Sequence, residues 1–395
     1  MPRPEVLRWL DQHGAAFLCR CLALATRGRR WRGSREDRSP GVESIVIVKF
    51  CCLGDAILMG PGLRAICAAY PAAHITVITT PKTSGVFPRL AQLDRVVELP
   101  LSPNPLKLWR TLLKAVPAGP DLLYCFEPWY PTATLVSWFL RPTYSIGFTS
   151  PRAPYNSAFF DVAVAYNEDR HVVETYRRLA EAGIPGEAPQ EALGLSILEE
   201  EDERVGRFFG DRQLGGDVVA LFAGGSPRWL RKRWPASQFA ALADRIASEL
   251  GMRILLLTGR GQESVNQEII AHMRGKATIA PGDFSVAELA AVIRRCRLLV
   301  SSDSSPVHIA SAVGTPVVAM FGPVPSVTYH PYLPPARFQV VSSRLPCSPC
   351  VFYAESAPCP IDFECVRCIK VDDVMTAVRL LAAAEKLTVP LQCVS

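Results

Sequence analysis

From residue 41 onward the chain alternates short β-branched runs with longer helix-like stretches, and after an interval rich in Pro, Gly and acids it does so again. This alternation restricts the fold most, because parallel strands need a crossover and a helix is the usual one, so the pattern specifies βα units and a mostly parallel sheet. In the first half, strands are expected at Ile45 to Phe50, Ile75 to Thr80, Val96 to Leu99, Asp121 to Phe126 and Tyr144 to Phe148. Helices are expected at Ala56 to Ala69, Leu106 to Val116, Thr132 to Leu140 and Val172 to Ala182. The interval Gly183 to Gly216, with a helical piece near Glu199 to Phe209, reads as the interdomain linker. Strands then resume at Val218 to Phe222, Ile254 to Thr258, Ala277 to Ile279, Leu298 to Ser301 and Val317 to Phe321, separated by helices Ala236 to Leu250, Gln262 to Met273 and Val286 to Cys296. At 395 residues and 49% hydrophobic content the chain can fill two cores. Two Rossmann-like halves imply a cleft of the kind that takes nucleotides and their sugar conjugates.

Charge narrows the function. Lys plus Arg exceed Asp plus Glu by 43 to 37, but residues 1 to 40 hold nine Arg against four acids, so the remainder is almost neutral. A nucleic-acid protein would spread its positive charge over a binding face. Residues 5 to 26 mix Leu7, Leu10, Phe17, Leu18, Leu22 and Leu24 with Arg8, Asp11 and Arg20, ahead of Arg27, Arg29, Arg30 and Arg32. The charges interrupt any membrane span, and a secretory cleavage pattern is missing. An amphipathic helix on an anionic membrane surface, a helix packed on its own domain and a frayed extension are the three readings left.

Four loops carry chemistry. Ser302-Asp303-Ser304-Ser305-Pro306-Val307-His308, followed by Gly314-Thr315-Pro316, sits where a strand hands over to a helix, the place where open α/β sheets bind ligands. Ser304 and Ser305 can cap that helix, Pro306 suits its first turn, the free amides favour phosphate, and His308 adds a donor. The first strand ends in Lys49-Phe50-Cys51-Cys52-Leu53-Gly54-Asp55, which sets Asp55 at a helix start, either as a plain cap or as a general base. Ala223-Gly224-Gly225-Ser226 precedes Arg231-Lys232-Arg233-Trp234-Pro235, a glycine loop with nearby positive charge suited to a diphosphate, although such a cluster is also ordinary solvated surface. Thr258-Gly259-Arg260-Gly261-Gln262-Glu263 places a carboxylate at another helix start, for ribose hydroxyls or merely for the helix dipole. The GxGxxG and GxxxxGK[ST] patterns are both missing, so neither a dinucleotide cofactor nor an ATPase phosphate loop is expected.

In this order, Leu-Gly-Asp after the first strand, Gly-Gly-Ser with Lys-Arg-Trp-Pro, Thr-Gly-x-Gly-x-Glu, then Asp-Ser-Ser-Pro-x-His with Gly-Thr-Pro and Phe-Gly-Pro, the chain from about Ser44 to Val374 resembles glycosyltransferase family 9, the ADP-heptose heptosyltransferases of lipopolysaccharide core assembly. The resemblance implies an α/β GT-B fold of two Rossmann-like domains facing a cleft, with a C-terminal Cys-rich segment and helix. The divisions it suggests are a basic N-terminal extension (1–40), an acceptor domain (41–205), a nucleotide-sugar donor domain (206–345) and a Cys-rich segment with a helix (346–395). It implies inverting transfer of heptose from ADP-heptose to a saccharide acceptor, lipopolysaccharide core or another lipid-linked glycan, at the inner face of the bacterial inner membrane, without a catalytic cofactor. Asp55 then matches the base. Gly225, Ser226, Lys232, Gly259, Glu263, Asp303, Ser304, Ser305 and His308 match the donor site, with Lys232 neutralising the diphosphate. A protein or small-metabolite acceptor, and a non-catalytic nucleotide-sugar-binding protein, are the alternatives. Cys51-Cys52 stands where the family more often has Ser or Asn. Acceptor contacts are sought at Pro128-Trp129-Tyr130 and Phe148 to Tyr155.

Of thirteen cysteines, five form Cys347-x2-Cys350, Cys359 and Cys365-x2-Cys368. Two CxxC pairs around a short loop are the spacing of a thiolate metal site; free buried thiols and disulfides are the other readings. The resemblance reaches here too and implies Cys347, Cys350, Cys359 and Cys365 as ligands of a structural zinc or iron, with Cys368 as an alternative.

Overall fold

The computed structural model describes residues 9–26, 41–100, 104–116, 119–225, 233–343, 345–350 and 359–383. The chain divides into two compact units, Met1–Glu191 and Ala192–Ser395.

In the first unit, strands β1 (Ser44–Val48), β2 (His74–Thr79), β3 (Arg95–Glu98), β4 (Leu122–Cys125), β5 (Tyr144–Thr149) and β6 (Val162–Ala165) form one parallel sheet in the order β3-β2-β1-β4-β5-β6. Strands β1 and β4 pair in register from Ile45 with Leu122 to Val48 with Cys125. Their side chains are buried on both faces, which is why they read as unbroken apolar runs rather than alternating ones. Strand β6 escapes that signal: its Val-Ala-Val-Ala sequence is short and partly exposed at the sheet edge.

The single helix expected at Ala56 to Ala69 is two, Leu53–Leu58 and Gly60–Ala69, meeting at Met59. Pro61 suits a first turn and not an interior, so a new helix starts there. Gly62 in that second helix faces helix Val172–Glu181 closely enough that a Cβ would lie 3.1 Å from the Tyr176 carbonyl oxygen. Helix Ala16–Thr26 packs its Cys19 into the core with Leu112, Leu135 and Val136, and Asp11 Oδ1 accepts the Thr132 amide at 2.8 Å. The segment is thus packed on its own unit by one face. Its outer face is also apolar, with Trp9, Phe17 and Leu24 exposed by 60, 68 and 67%. Among the described residues no helix is long and apolar enough to cross a membrane.

The second unit repeats the plan. Strands β7 (Val218–Phe222), β8 (Arg253–Leu256), β9 (Thr278–Ile279), β10 (Leu298–Ser302), β11 (Val317–Phe321) and β12 (Phe338–Ser342) run parallel in the order β12-β11-β10-β7-β8-β9. Helix Glu199–Asp211, inside the interval read as linker, belongs to this unit: its Asp202 pairs with Arg294 and Arg295 of helix Val286–Arg295. Helix Val371–Ala383 buries Val374, Met375, Val378 and Leu381 in the core beneath β7, β8, β10 and β11. Trp234, 1% exposed, donates its indole N–H to the Ile369 carbonyl at 2.9 Å, and so ties the chain after the glycine loop to the cysteine-rich segment.

Candidate functional site

In each sheet the strand order reverses beside its first strand, and the crevice at such a switch point, outside the carboxyl ends of the strands, is where open α/β sheets take ligands. The switch points lie between β1 and β4 and between β7 and β10. Three of the loops singled out in the sequence leave from these strand ends, and the fourth, Thr258 to Glu263, follows the neighbouring β8.

In the first unit, Asp55 stands half-buried in the first turn of helix Leu53–Leu58, behind Cys52, whose φ is +67°. Its carboxylate is not merely a cap: the phenol of Tyr176 donates to Asp55 Oδ1 at 3.2 Å. Tyr176 lies 3.4 Å from Lys49 Nζ, and Lys49 lies 3.3 Å from Glu127. Lys49 and Glu127 are almost wholly buried. Glu127, the second residue past β4, accepts the amides of Phe50 and Cys51 at 2.7 Å each, stitching the ends of β1 and β4 together. Burial works against the Lys49 charge, but Glu127 and then Asp55 outweigh it and hold the ammonium above its ordinary value. Burial raises Glu127, opposed by Lys49 and the two amides. The two amides and the ammonium favour the ionised pair. Glu127 and Tyr176 were invisible as site residues in the sequence, since neither lies in a motif and each needs a distant partner.

The thiols of Cys51 and Cys52 lie 2.6 Å apart, and the Tyr130 hydroxyl donates to Cys51 Sγ at 2.9 Å. At the ends of β4 and β5, Arg152 lies over the Trp129 ring at 5.3 Å, and Trp129 meets Tyr166 edge-on at 4.9 Å.

In the second unit Gly225, just past β7, has a φ of +156°, a backbone state that favours glycine. Its amide donates to Gln262 Oε1 at 3.1 Å, and Gln262 Nε2 donates back to the Gly225 carbonyl at 2.6 Å. A Cβ on Gly224 or Gly259 would collide with Gln262, at 2.2 and 2.8 Å. Gln262 therefore holds the two glycine loops together, a role that the sequence motif contained without revealing. Glu263 opens helix Glu263–His272 and is exposed, with Oε1 passing 2.8 Å from where a Cβ on Gly282 would lie. Ser226 and Lys232 lie outside the described residues. Arg233 follows them; its Nε is buried and lacks a partner among the described residues, and burial holds the guanidinium below its ordinary value.

Ser304 occupies the N-cap position of helix Ser305–Ala312 but does not cap it as expected. Its hydroxyl turns back to the Ser302 carbonyl at 2.9 Å and to the Ser301 hydroxyl at 3.0 Å. The first-turn amides are therefore not closed off by that side chain, which suits an anion. Asp303, half-buried, donates its amide to the Met320 carbonyl at 2.9 Å, and Ser305 opens the helix. His308 is 4% exposed, and its Nδ1 has no partner among the described residues. Burial, then the neighbouring His330, lower its pKa to about 4, so at neutral pH it is an uncharged imidazole that hydrogen-bonds without adding charge.

The cysteine-rich segment lies against the loop after β11. Cys350 donates its amide to the Pro323 carbonyl at 2.9 Å, and Ser348 its hydroxyl to the Gly322 carbonyl at 2.6 Å. Gly322 is crowded by Val366, where a Cβ would be 2.2 Å from Cγ2. Asp303, Gly322, Pro323 and Val366 line a shared small recess. Burial pushes the Cys365 thiol up to about 11, and Cys350, Cys359, Cys347 and Cys368 push the same way. Among the described residues, however, no three His, Cys, Asp or Glu groups converge tightly enough to hold a metal ion.

Residues 131–360 match the model of glycosyltransferase family 9 (heptosyltransferase). The chain is 25% identical over 320 residues to lipopolysaccharide heptosyltransferase 1 of Pseudomonas aeruginosa, covering 78% of this chain and 86% of that protein. In three dimensions it is similar to a family 9 glycosyl transferase from Veillonella parvula, with a TM-score of 0.72 at 22% identity, over 90% of this chain and 99% of that one. It is similar also to the ADP-heptose lipopolysaccharide heptosyltransferase II of E. coli, with a TM-score of 0.65 at 18% identity, over 86% and 98%.

Proposed function

This chain belongs to glycosyltransferase family 9, the heptosyltransferases, and from that premise we propose that it transfers heptose from ADP-heptose to the lipopolysaccharide core, with inversion and with Asp55 as base. It is a glycosyltransferase of GT-B fold. The observation that carries the assignment of the base is the Asp55 carboxylate at the carboxyl end of β1, held by a buried phenol.

In the proposed reaction an acceptor hydroxyl gives its proton to Asp55 as its oxygen attacks the anomeric carbon from the face opposite ADP. The new C–O bond forms as the bond from the anomeric carbon to the diphosphate oxygen breaks. ADP then leaves with its developing charge met by the amides opening helix Ser305–Ala312 and by Lys232, which is assigned on its sequence position alone. Gly225 and Gly259 supply the backbone approach to the diphosphate, Ser226 is assigned beside them on its sequence position alone, and Glu263 takes the ribose hydroxyls. Asp303, Ser304, Ser305 and neutral His308 complete the donor site. The unpartnered, buried Nδ1 of His308 supports that reading, since a buried imidazole nitrogen without a partner is costly unless a ligand supplies one.

The N-terminal segment would seat the enzyme on the cytoplasmic membrane surface, where a lipid-linked acceptor lies. Its support is the outward Trp9, Phe17 and Leu24 on a helix already buried by its other face, followed by the arginines of residues 27–32. A structural zinc or iron at Cys347, Cys350, Cys359 and Cys365, or with Cys368, is supported by the cysteine spacing.

The deciding experiment incubates the purified chain with ADP-heptose and heptose-deficient lipopolysaccharide and follows ADP release. Asp55→Ala should nearly abolish release while ADP still binds. Normal turnover by that variant removes Asp55 as base, and donor binding without turnover on any glycan, protein or small-molecule acceptor favours a non-catalytic binding protein.

A further inference from the structure

Asp55 ends a chain of hydrogen bonds whose direction is set by which groups can donate, and we propose that Tyr176, oriented by Lys49 and Glu127, is the positioning residue for the Asp55 carboxylate. The inference rests on the reading of Asp55 as the base. A lysine ammonium carries donors and no acceptor, so at 3.4 Å Lys49 Nζ donates to the Tyr176 oxygen. The single phenolic proton is then directed to Asp55 Oδ1 at 3.2 Å. Turned the other way, that proton would point at the ammonium.

Asp55 stands in the first turn of the short helix Leu53–Leu58, and the Tyr176 phenol reaches its carboxylate from elsewhere in the unit. That partner comes from helix Val172–Glu181, seated by the close approach at Gly62. Tyr176 itself is 1% exposed and contacts the rings of Phe126 and Phe148, with centroids 5.7 and 6.0 Å away, so its phenol is held firmly.

Glu127 has a distinct part. An uncompensated ammonium near Asp55 would stabilise the carboxylate and weaken it as a base. With Glu127 3.3 Å from Lys49, the ammonium orients the phenol while its charge is largely neutralised. The Phe50 and Cys51 amides donating to Glu127, and Lys49 Nζ donating to the Phe126 carbonyl at 3.5 Å, clasp β1 to β4, and the same ammonium continues the chain to Tyr176.

The test compares full-length wild type, Tyr176→Phe, Asp55→Asn and the double variant for ADP release from ADP-heptose with heptose-deficient lipopolysaccharide. Tyr176→Phe keeps the ring and removes only the hydroxyl. We expect its kcat to fall about tenfold to a hundredfold, the scale of misplacing a reacting group, with KM for ADP-heptose within about twofold. The double variant should be no slower than Asp55→Asn, because orienting a base that has been removed has no further effect. Wild-type kcat in Tyr176→Phe, or a double variant slowed by the product of the two single effects, overturns the positioning role and leaves the base assignment standing. Undiminished turnover in Asp55→Asn removes the base itself, and the proposal with it.

Discussion

Replacing Lys49 by Met leaves Glu127 buried without its cation, and the size of the penalty depends on pH in a way that follows from the structure. Both side chains are 2% exposed and lie 3.3 Å apart. Breaking a buried pair from one side typically costs about 3–5 kcal/mol. Here the loss has a ceiling, because the stranded carboxylate can take up a proton. For an unfolded-state pKa of about 4.3, protonation at pH 7 costs about 3.7 kcal/mol, and at pH 5 about 1 kcal/mol. The folded variant holds a proton that the unfolded chain has released, so its stability falls as pH rises above about 4.3. The amides of Phe50 and Cys51, at 2.7 Å, favour the ionised carboxylate and bring the actual penalty below the ceiling. Urea unfolding of the full chain at pH 5, 6 and 7, followed by circular dichroism, should show the Lys49→Met penalty growing by up to about 2.7 kcal/mol across that range. Adding Glu127→Gln should abolish the pH dependence. A penalty equal at pH 5 and pH 7, or one within the roughly 0–1 kcal/mol of a surface pair, would refute the picture of a dry, ionised pair.

Four further outcomes are expected. The folded-state pKa of His308 is about 4 against an unfolded value near 6.5, so the unfolded chain protonates first and the stability present above pH 6.5 drains away as pH falls toward 4; His308→Gln should flatten that part of the urea-midpoint profile, and an unchanged slope would show that the imidazole is hydrated. Gly147→Ala places a Cβ 2.3 Å from the ring of Phe160, itself buried, and should lower stability by about 1–3 kcal/mol or more in the same unfolding assay. Phe17→Glu with Leu24→Glu should reduce cosedimentation with anionic vesicles several-fold while leaving circular dichroism unchanged; equal recovery of variant and wild type would remove the membrane role. Elemental analysis of purified protein should find about one zinc or iron per chain, lost on alkylation of Cys347 and Cys350; metal-free protein with five reactive thiols in residues 347–368 would exclude the site.

Much of the fold was legible because parallel strands buried on both faces leave short β-branched runs that do not resemble their crossover helices. β7 and β11 match their expected ranges residue for residue, and β1 and β10 shift only at their ends. Of the edge strands, β3 and β9 were expected, whereas β6 and β12 were missed, being only partly covered and carrying a weaker apolar signal. Asp55, Gly225, Glu263 and the run Asp303 to His308 could be placed at strand ends because turn and helix-start chemistry is local. What each side chain touches was not local: Ser304 turned away from capping, and His308 became a neutral buried ring.

Periodicity, glycine and proline act over a few residues, and in this chain they settle most of the segments that become strands and helices and which polar residues stand at the junctions. Partners are a matter of tertiary structure. Only the order β1-β4 brings Glu127 within 2.7 Å of the Phe50 amide, 77 residues away, and only the packing of helix Val172–Glu181 at Gly62 carries the Tyr176 hydroxyl to Asp55. Such contacts join elements far apart in the chain, and the pattern within any one element does not contain them.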